Sequence, residues 1–326
     1  MKNILVVRFS SLGDIILTTG VIKHVKETLP DNINIDFLTT ADFAGVISNY
    51  PYIRDIYCIS KGSSLMELFN TLKQMPEYDA VIDLHVNLRS FFVRLINSAP
   101  SYKYNKNSFL RRFFVKTKLG RCFLKKHTVE KYFEPFRKYF NMDKTAVNNL
   151  RPFLLPNSDN YITPKINILI HPSASKNTKE WPFFPQLAEI LQENGLSVAF
   201  IGSSSDDIDI GNSFIDLRGS TSLQKLIDVI SSANMLITTD SGPMHIGVAV
   251  NTPTIAIFGP TTKELGFYPE FDNVKVIENV GLKCRPCHIH GSYECTEKHF
   301  KCMLDIGIEE VRYHVSKMLI EKGISL

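Results

Sequence analysis

Apolar runs of strand length alternate with runs of helix length along almost all of this chain. In the first half the strand-like runs cover 3–9, 33–39, 55–59 and 80–84, and the helix-like runs cover 14–29, 41–49, 64–75 and 129–140. In the second half the strands are read at 166–171, 197–202, 235–239, 254–258 and 274–277, and the helices at 184–194, 222–232, 243–250 and 309–321. Strands separated by helices pair in parallel and carry their helices on both faces. The expected fold class is therefore α/β. A chain of 326 residues has room for two domains of ordinary size. Between the halves, residues 151–164 hold Pro152, Pro156 and Pro164 among polar neighbours. Proline removes a donor and disfavours helix, so this stretch is the expected linker, with domains at 1–157 and 158–326.

Two strand-to-helix bends stand out. In the second half, Met235–Leu236–Ile237–Thr238–Thr239 reads as a buried strand and Ile246–Gly247–Val248–Ala249–Val250 as a helix body. Asp240–Ser241–Gly242–Pro243–Met244–His245 joins them. Pro243 suits the first helical turn, where a missing N–H costs nothing. Unpaired N–H groups and the positive end of a helix dipole meet at such a bend and favour an anion such as a diphosphate. His245 adds a donor. Asp240 has the wrong sign for a phosphate cradle, and reads as a helix cap or an acceptor for sugar hydroxyls. An ordinary capped junction remains the alternative.

The first-half bend is Ser10–Ser11–Leu12–Gly13–Asp14, after the strand Ile4–Leu5–Val6–Val7. It lacks G-x-G-x-x-G, which disfavours a nicotinamide dehydrogenase. Asp14 lies where loop meets helix and reads either as a cap or as a reactive carboxylate.

Net charge is only +4, but it is unevenly spread. From Leu84 to Val129 there is no acid, while Arg89, Arg94, Lys103, Lys106, Arg111, Arg112, Lys116, Lys118, Arg121, Lys125 and Lys126 all fall there. Phe91, Phe109, Phe113 and Phe123 are interleaved. Such a stretch attracts polyanions, among them anionic lipid or a phosphorylated glycolipid. No nucleic-acid-binding signature accompanies it, so nucleic acid is not expected as a partner. No run approaches the length of a membrane span, and the opening residues do not read as a signal peptide, so the expected location is the cytoplasm.

Four of six cysteines cluster at Cys284, Cys287, Cys295 and Cys302. Cytoplasmic chains rarely keep disulfides, so four reduced thiols and a structural thiolate site for zinc or iron are the two readings, the second favoured.

Taken together, Arg8–Phe9–Ser10–Ser11–Leu12–Gly13–Asp14–Ile15–Ile16–Leu17–Thr18 and Asp240–Ser241–Gly242–Pro243–Met244–His245 resemble the two signatures of the ADP-heptose–lipopolysaccharide heptosyltransferases, glycosyltransferase family nine. His171–Pro172–Ser173–Ala174–Ser175, Lys179–Glu180–Trp181–Pro182, Gly219–Ser220–Thr221–Ser222–Leu223 and Ile257–Phe258–Gly259–Pro260–Thr261 match in kind and order. The resemblance implies a GT-B fold, two Rossmann-like domains with parallel sheets facing a central cleft. It implies an inverting transfer of heptose from ADP-heptose to an inner-core sugar of a phosphorylated, lipid-linked saccharide, made at the cytoplasmic side of the inner membrane without a catalytic metal. Asp14 would be the base and Lys179 the diphosphate cation. The donor would be met by Ser11, Gly13, Ser173, Ser175, Lys179, Thr221, Asp240, Ser241, Gly242, Pro243 and His245, with Trp181 packing beneath Lys179. The acceptor would be met by Arg89 and His127, and by Lys103 and Arg111 of the basic stretch. His127 reads equally as a helix cap. In at least one relative four such cysteines hold iron. One departure concerns the nucleotide: relatives often carry an acid for the ribose after the strand ending at Gly202, and here Ser203–Ser204–Ser205–Asp206–Asp207 has no unique match. The alternatives are transfer to a protein acceptor such as an autotransporter, and a noncatalytic nucleotide-sugar binding module.

Overall fold

The computed structural model describes residues 1–29, 33–143, 150–157, 166–206 and 208–323. Half of the expected linker, 158–164, and Asp207 lie outside the described residues. The chain divides into two compact units. The first comprises Met1–Lys106 and Lys126–Leu155, the second Asn107–Lys125 and Pro156–Leu326.

The first unit holds β1 (Lys2–Val7), α1 (Leu12–Thr28), β2 (Ile33–Thr40), α2 (Ala41–Ala44), β3 (Ile56–Ile59), α3 (Leu65–Lys73), β4 (Ala80–Asp83), α4 (Leu88–Ile96) and β5 (Ser101–Lys103). After α5 (Ser108–Thr117), which belongs to the second unit, α6 (Thr128–Phe140) returns to the first. The strands run parallel in the order β3-β2-β1-β4-β5. Side chains alternate across a strand. Leu5, Val7 and Phe9 therefore share one face, where they bury with Leu68 of α3 and Val93 of α4. Helices α1 and α6 pack on each other.

The second unit continues with β6 (Ile168–His171), α7 (Phe184–Glu193), β7 (Val198–Phe200), β8 (Ile215–Asp216), α8 (Leu223–Ser232), β9 (Met235–Thr239), α9 (Gly242–Ala249), β10 (Thr254–Phe258), β11 (Val274–Glu278), α10 (Lys301–Leu304) and α11 (Ile308–Glu321). Its six strands are parallel in the order β11-β10-β9-β6-β7-β8. One face buries Ile168, Ile170 and Ile237 against Phe184 and Leu187 of α7 and Val315 of α11. Each fully buried aliphatic side chain contributes roughly 1.5–3 kcal/mol of transfer free energy. Helices α8 and α9 pack together. Trp181 is buried in the same core, and its indole N–H donates to the Ile306 carbonyl at 3.0 Å.

The alternation of strands and helices is as expected, and some local readings change. Residues 41–49 form only the short α2, followed by turns. Helices α4, α5 and α10 and strands β5 and β8 were not anticipated. Residues 107–125 pack within the second unit because their apolar side chains find partners there: Phe114 and Leu124 bury against Leu265. Arg121 Nε meets Glu264 Oε1 at 2.6 Å. Among the described residues no helix is long and apolar enough to cross a membrane.

Gly20 lies inside α1 where the backbone of Leu150 and Arg151 crosses it. A Cβ there would come within 2.4 Å of the Leu150 carbonyl oxygen and 2.5 Å of that of Arg151. Helix propensity alone would make Gly20→Ala stabilising by about 1 kcal/mol. The crossing backbone reverses the sign, with an expected cost of about 1–3 kcal/mol for overpacking. Urea unfolding of the variant checks this, and a gain in stability would refute it.

Candidate active site

Each sheet reverses its strand order beside its first strand, between β1 and β4 in one unit and β6 and β9 in the other. Helices leave such a point on opposite faces, and a crevice opens at the carboxyl ends of the two strands. The residues just past β1, β6 and β9 include the ones the sequence singled out.

Past β1, Asp14 sits in the first turn of α1. Arg8, itself buried, meets Asp14 Oδ2 at 2.5 Å. The Tyr132 hydroxyl donates to Asp14 Oδ1 at 2.6 Å, and the Ser11 hydroxyl to Oδ2 at 2.9 Å. The Ser11 N–H adds a longer contact of 3.3 Å, and Gly13 lies beside it in the same turn. Arg8 also donates to the Leu84 carbonyl at the end of β4 and stacks over the Tyr132 ring at 5.4 Å. Burial pushes the Asp14 carboxyl up, but the Arg8 charge and the bonds from Tyr132 and Ser11 outweigh it and hold it below its usual value. Asp14 is thus an ionised carboxylate with 14% of its side chain still exposed.

Beside it a cavity of about 570 Å³ is lined by Phe9, Ser10, Lys61, His85, Asn87 and Arg89, among others. Arg89 lies over the Phe9 ring at 5.8 Å and donates to the Ser63 carbonyl at 3.3 Å. His85 meets Phe9 edge to face at 5.2 Å. Burial, with the charges of Arg8 and Lys106, lowers its pKa to about 4. His127 caps α6: its Nδ1 accepts the Val129 N–H at 3.2 Å. Lys103 is exposed at the end of the edge strand β5. Arg111 does not sit on a basic surface; it is buried in the second unit over the Phe267 ring at 5.2 Å. Its aromatic neighbour gives the guanidinium an apolar seat that the sequence pattern did not show.

In the second unit the Lys179 ammonium meets Asp240 Oδ2 at 2.7 Å and donates to the Asp240 carbonyl at 2.9 Å. The Thr261 hydroxyl donates to the same carboxylate at 2.7 Å. Burial raises the Asp240 pKa, but Lys179 and Thr261 more than offset it, so Asp240 too is held below its usual value. It forms an ion pair rather than a helix cap. Ser241 occupies the N-cap of α9 but does not cap it with its side chain. The hydroxyl instead faces His171 Nδ1 at 3.2 Å. Gly242, Pro243 and His245 follow in the first turn, with His245 buried.

Two further loops complete this end of the sheet. Ser173 donates to Asp206 Oδ2 at 2.5 Å, and Asp206 also accepts the Ser203 N–H at 2.8 Å. Asp206 therefore closes its own loop. Gly202 is required beneath it, since a Cβ would come within 2.1 Å of Asp206 Oδ2. Ser175 is exposed past β6, and Thr221 precedes Ser222, which caps α8. The loop carrying the cysteines braces Lys179. Thr178 donates to the Ser292 carbonyl at 2.8 Å and accepts the Ser292 N–H at 2.8 Å. Gly291 lies flat on the Lys179 stem, where a Cβ would come within 3.0 Å of its Cγ.

The cysteines themselves do not assemble as a ligand set: among the described residues no group of three or more His, Cys, Asp or Glu is arranged to hold a metal. Cys302 is buried in the apolar core beside Met303. Burial and the neighbouring thiols push its pKa up to about 12. Cys284 has His299 Nε2 at 3.9 Å. The donor chemistry of these neighbouring thiols would suit a soft metal, but no metal site is shown there, and no step is assigned to one.

Sequence reasoning missed Tyr132, His85 and Arg285 and gave His171 no role. Arg285 is buried and ties the cysteine loop to the Thr261 carbonyl at 2.9 Å and to Glu278 Oε2 at 2.6 Å. Its location between two cysteines carried no signal of this. Tyr132 lies far from Asp14 in the chain, and only tertiary packing joins them.

His171 gives a pH-dependent expectation. Burial lowers its pKa from 6.5 to about 4. Below pH 6.5 the unfolded chain gains a proton that native His171 does not bind. Stability therefore falls as the pH drops from 6.5 toward 4, by about 1.4 kcal/mol per pH unit for this one proton. Denaturant titrations should show a shallower slope in this window for His171→Gln; an unchanged slope would contradict the buried neutral imidazole.

Comparison with known proteins identifies the family and the fold. The model of glycosyltransferase family 9 (heptosyltransferase) matches residues 65–300. Lipopolysaccharide heptosyltransferase 1 of Campylobacter coli is 29% identical over 296 residues, 79% of this chain and 84% of that protein. Among solved structures, the E. coli ADP-heptose lps heptosyltransferase II superposes with a TM-score of 0.78 at 20% identity, covering 99% of this chain and 100% of that one. E. coli heptosyltransferase WaaC with ADP gives a TM-score of 0.71 at 17% identity, covering 97% and 99%. The two parallel sheets are those of the GT-B heptosyltransferases. The chain belongs to glycosyltransferase family 9, the heptosyltransferases.

Proposed function

We propose that this chain moves heptose from ADP-heptose to an inner-core sugar of lipopolysaccharide or lipooligosaccharide, with inversion at the anomeric carbon and no metal in the transfer step. The observation that carries the reading is the Asp14 carboxylate, kept ionised at a strand-order reversal by Arg8 and Tyr132 and still partly open. The names of the relatives, which include lipopolysaccharide heptosyltransferases and a structure with ADP, supply the donor and acceptor classes.

In this reading the first unit receives the acceptor and the second the donor. An acceptor hydroxyl attacks the anomeric carbon, and the bond to the diphosphate breaks on the opposite side. The hydroxyl proton passes to Asp14 as the new C–O bond forms. A carboxylate held below its ordinary pKa is a weak base, so it takes the proton only once attack has made the hydroxyl acidic. Arg8 and Tyr132 fix the direction of its remaining lone pairs. The leaving ADP gains negative charge and is met by Lys179, by His245 and by the N–H groups at the start of α9. Asp240 holds the ammonium in place. Arg89 and Lys61 outnumber Asp42 around the cavity beside Asp14 and give it a net positive lining suited to a phosphorylated saccharide. The reaction would take place at the cytoplasmic face of the inner membrane, where a lipid-linked acceptor is available.

Asp14→Asn should lower turnover by about 100- to 10,000-fold with ADP affinity close to wild type. ADP release from ADP-heptose with a core acceptor reads the first quantity and calorimetry the second. Near-wild-type turnover would remove Asp14 from the role.

Lys179→Met and His245→Ala should each weaken ADP binding in a calorimetric titration. Lys179→Met also strands a buried carboxylate, so it should cost about 3–5 kcal/mol of stability, with much of that restored in Lys179→Met/Asp240→Asn. Unchanged ADP affinity in both single variants would reject this donor site.

A further inference from the structure

We propose that the outward side of α3 and α4 seats this chain on a bilayer that carries anionic lipid. A helix packed on a sheet ordinarily turns its apolar stripe inward. In α4, Val93 and Ser90 face the sheet, while Leu88, Phe91 and Leu95 form a second stripe at intervals of three and four. They are 73%, 46% and 66% exposed. α3 packs beside α4 and adds Met66, also 66% exposed, and Leu65. A contiguous exposed apolar patch with a polar rim marks a contact surface.

Charge and continuity identify what covers it. The chain from Leu84 to Val129 has no acid, and Lys61, Lys73, Arg89 and Arg94 are the cations that flank the stripe in sequence, Arg94 lying over the Phe91 ring at 5.6 Å and paired with Asp83. Glu67 on α3 is turned back onto the Ser60 N–H at 2.9 Å. A second copy of this chain would set cations against cations. An anionic bilayer accepts both the cations at its headgroups and the apolar side chains beneath them. Leu65 and Leu88 belong at once to the stripe and to the cavity lined by Lys61, Arg89 and His85. An amphiphile whose charged head enters that cavity finds apolar surface at its mouth. The docking deepens the proposed function, which supplies the lipid-linked acceptor, and makes α3 and α4 the part that meets the membrane.

The test is sedimentation of the full chain with vesicles of phosphatidylethanolamine and phosphatidylglycerol, and with phosphatidylcholine alone, in the absence of donor and acceptor. Wild type should bind the anionic vesicles, and binding should weaken as salt rises. The variant M66Q/F91Q/L95Q, whose positions line no part of the cavity, should bind at least about tenfold more weakly. Because these side chains are exposed, its thermal unfolding should match wild type. Y313Q/I320Q, which removes exposed apolar groups of α11, should bind like wild type. Equal binding by the triple variant, no wild-type binding at low salt, or a wild-type dimer that the triple variant dissociates would each overturn the proposal. Wild type that binds vesicles but releases no ADP would support the docking and refute the transfer chemistry.

Discussion

A parallel sheet cannot send all its crossovers to one face without leaving the other bare, so the strand order must reverse somewhere. At that reversal two neighbouring strands send their following segments apart, and backbone groups at their carboxyl ends face open space. Both units of this chain obey that constraint, with β1 beside β4 and β6 beside β9. The two carboxylates of the candidate site and the cations paired with them follow from it. Arg8 and Asp14 lie past β1, His85 past β4, Ser173 and Lys179 past β6, and Asp240 past β9. The scaffold supplies rigid origins, and the loops supply chemistry.

The two units solve the same electrostatic problem alike. A carboxylate at the edge of a core is costly unless a cation and hydrogen-bond donors meet it. Asp14 has Arg8, Tyr132 and Ser11; Asp240 has Lys179 and Thr261. The cations differ for a physical reason. The Arg8 guanidinium reaches Asp14 and the Leu84 carbonyl at once, which suits a fixed strut between β1 and β4. The Lys179 ammonium is a compact charge on a flexible stem, which suits the proposed role of also meeting an incoming anion.

Much of this was legible in the sequence. Strand and helix alternation gave the fold class because each element buries an unbroken apolar run, as in Met235–Thr239 and Ile4–Val7. The bends at Ser10–Asp14 and Asp240–His245 were legible because small residues and proline have few other uses at a strand end. Pairings across long stretches of chain were not. Nothing local in Tyr132 announces Asp14, and nothing in Arg285 announces Thr261. The stretch 107–125 misled in its domain for a related reason: its cations other than Arg111 are exposed, but Phe114, Leu124 and the ring under Arg111 decide that it packs in the second unit. Helix α4 was overlooked because its nine residues fall within the acid-free stretch, which was read for its charge and not for its period.

The brace on Lys179 sets a limit on how this chain can vary. Gly291 lies on the lysine stem, and Ser292 is joined to Thr178 by bonds in both directions. The Ser292 hydroxyl also donates to the Glu294 carbonyl at 2.7 Å, and Thr296–Lys298 beyond it are exposed. The loop is therefore free to lengthen, shorten or change its thiols at its tip, provided that one bare backbone position and its neighbour keep their footing. Variation within this segment should be read against those two residues: Gly291 has a positive φ, and a Cβ there would come within 3.0 Å of the Lys179 stem, so a side chain at position 291 strains the backbone and crowds the lysine from the far side of the loop.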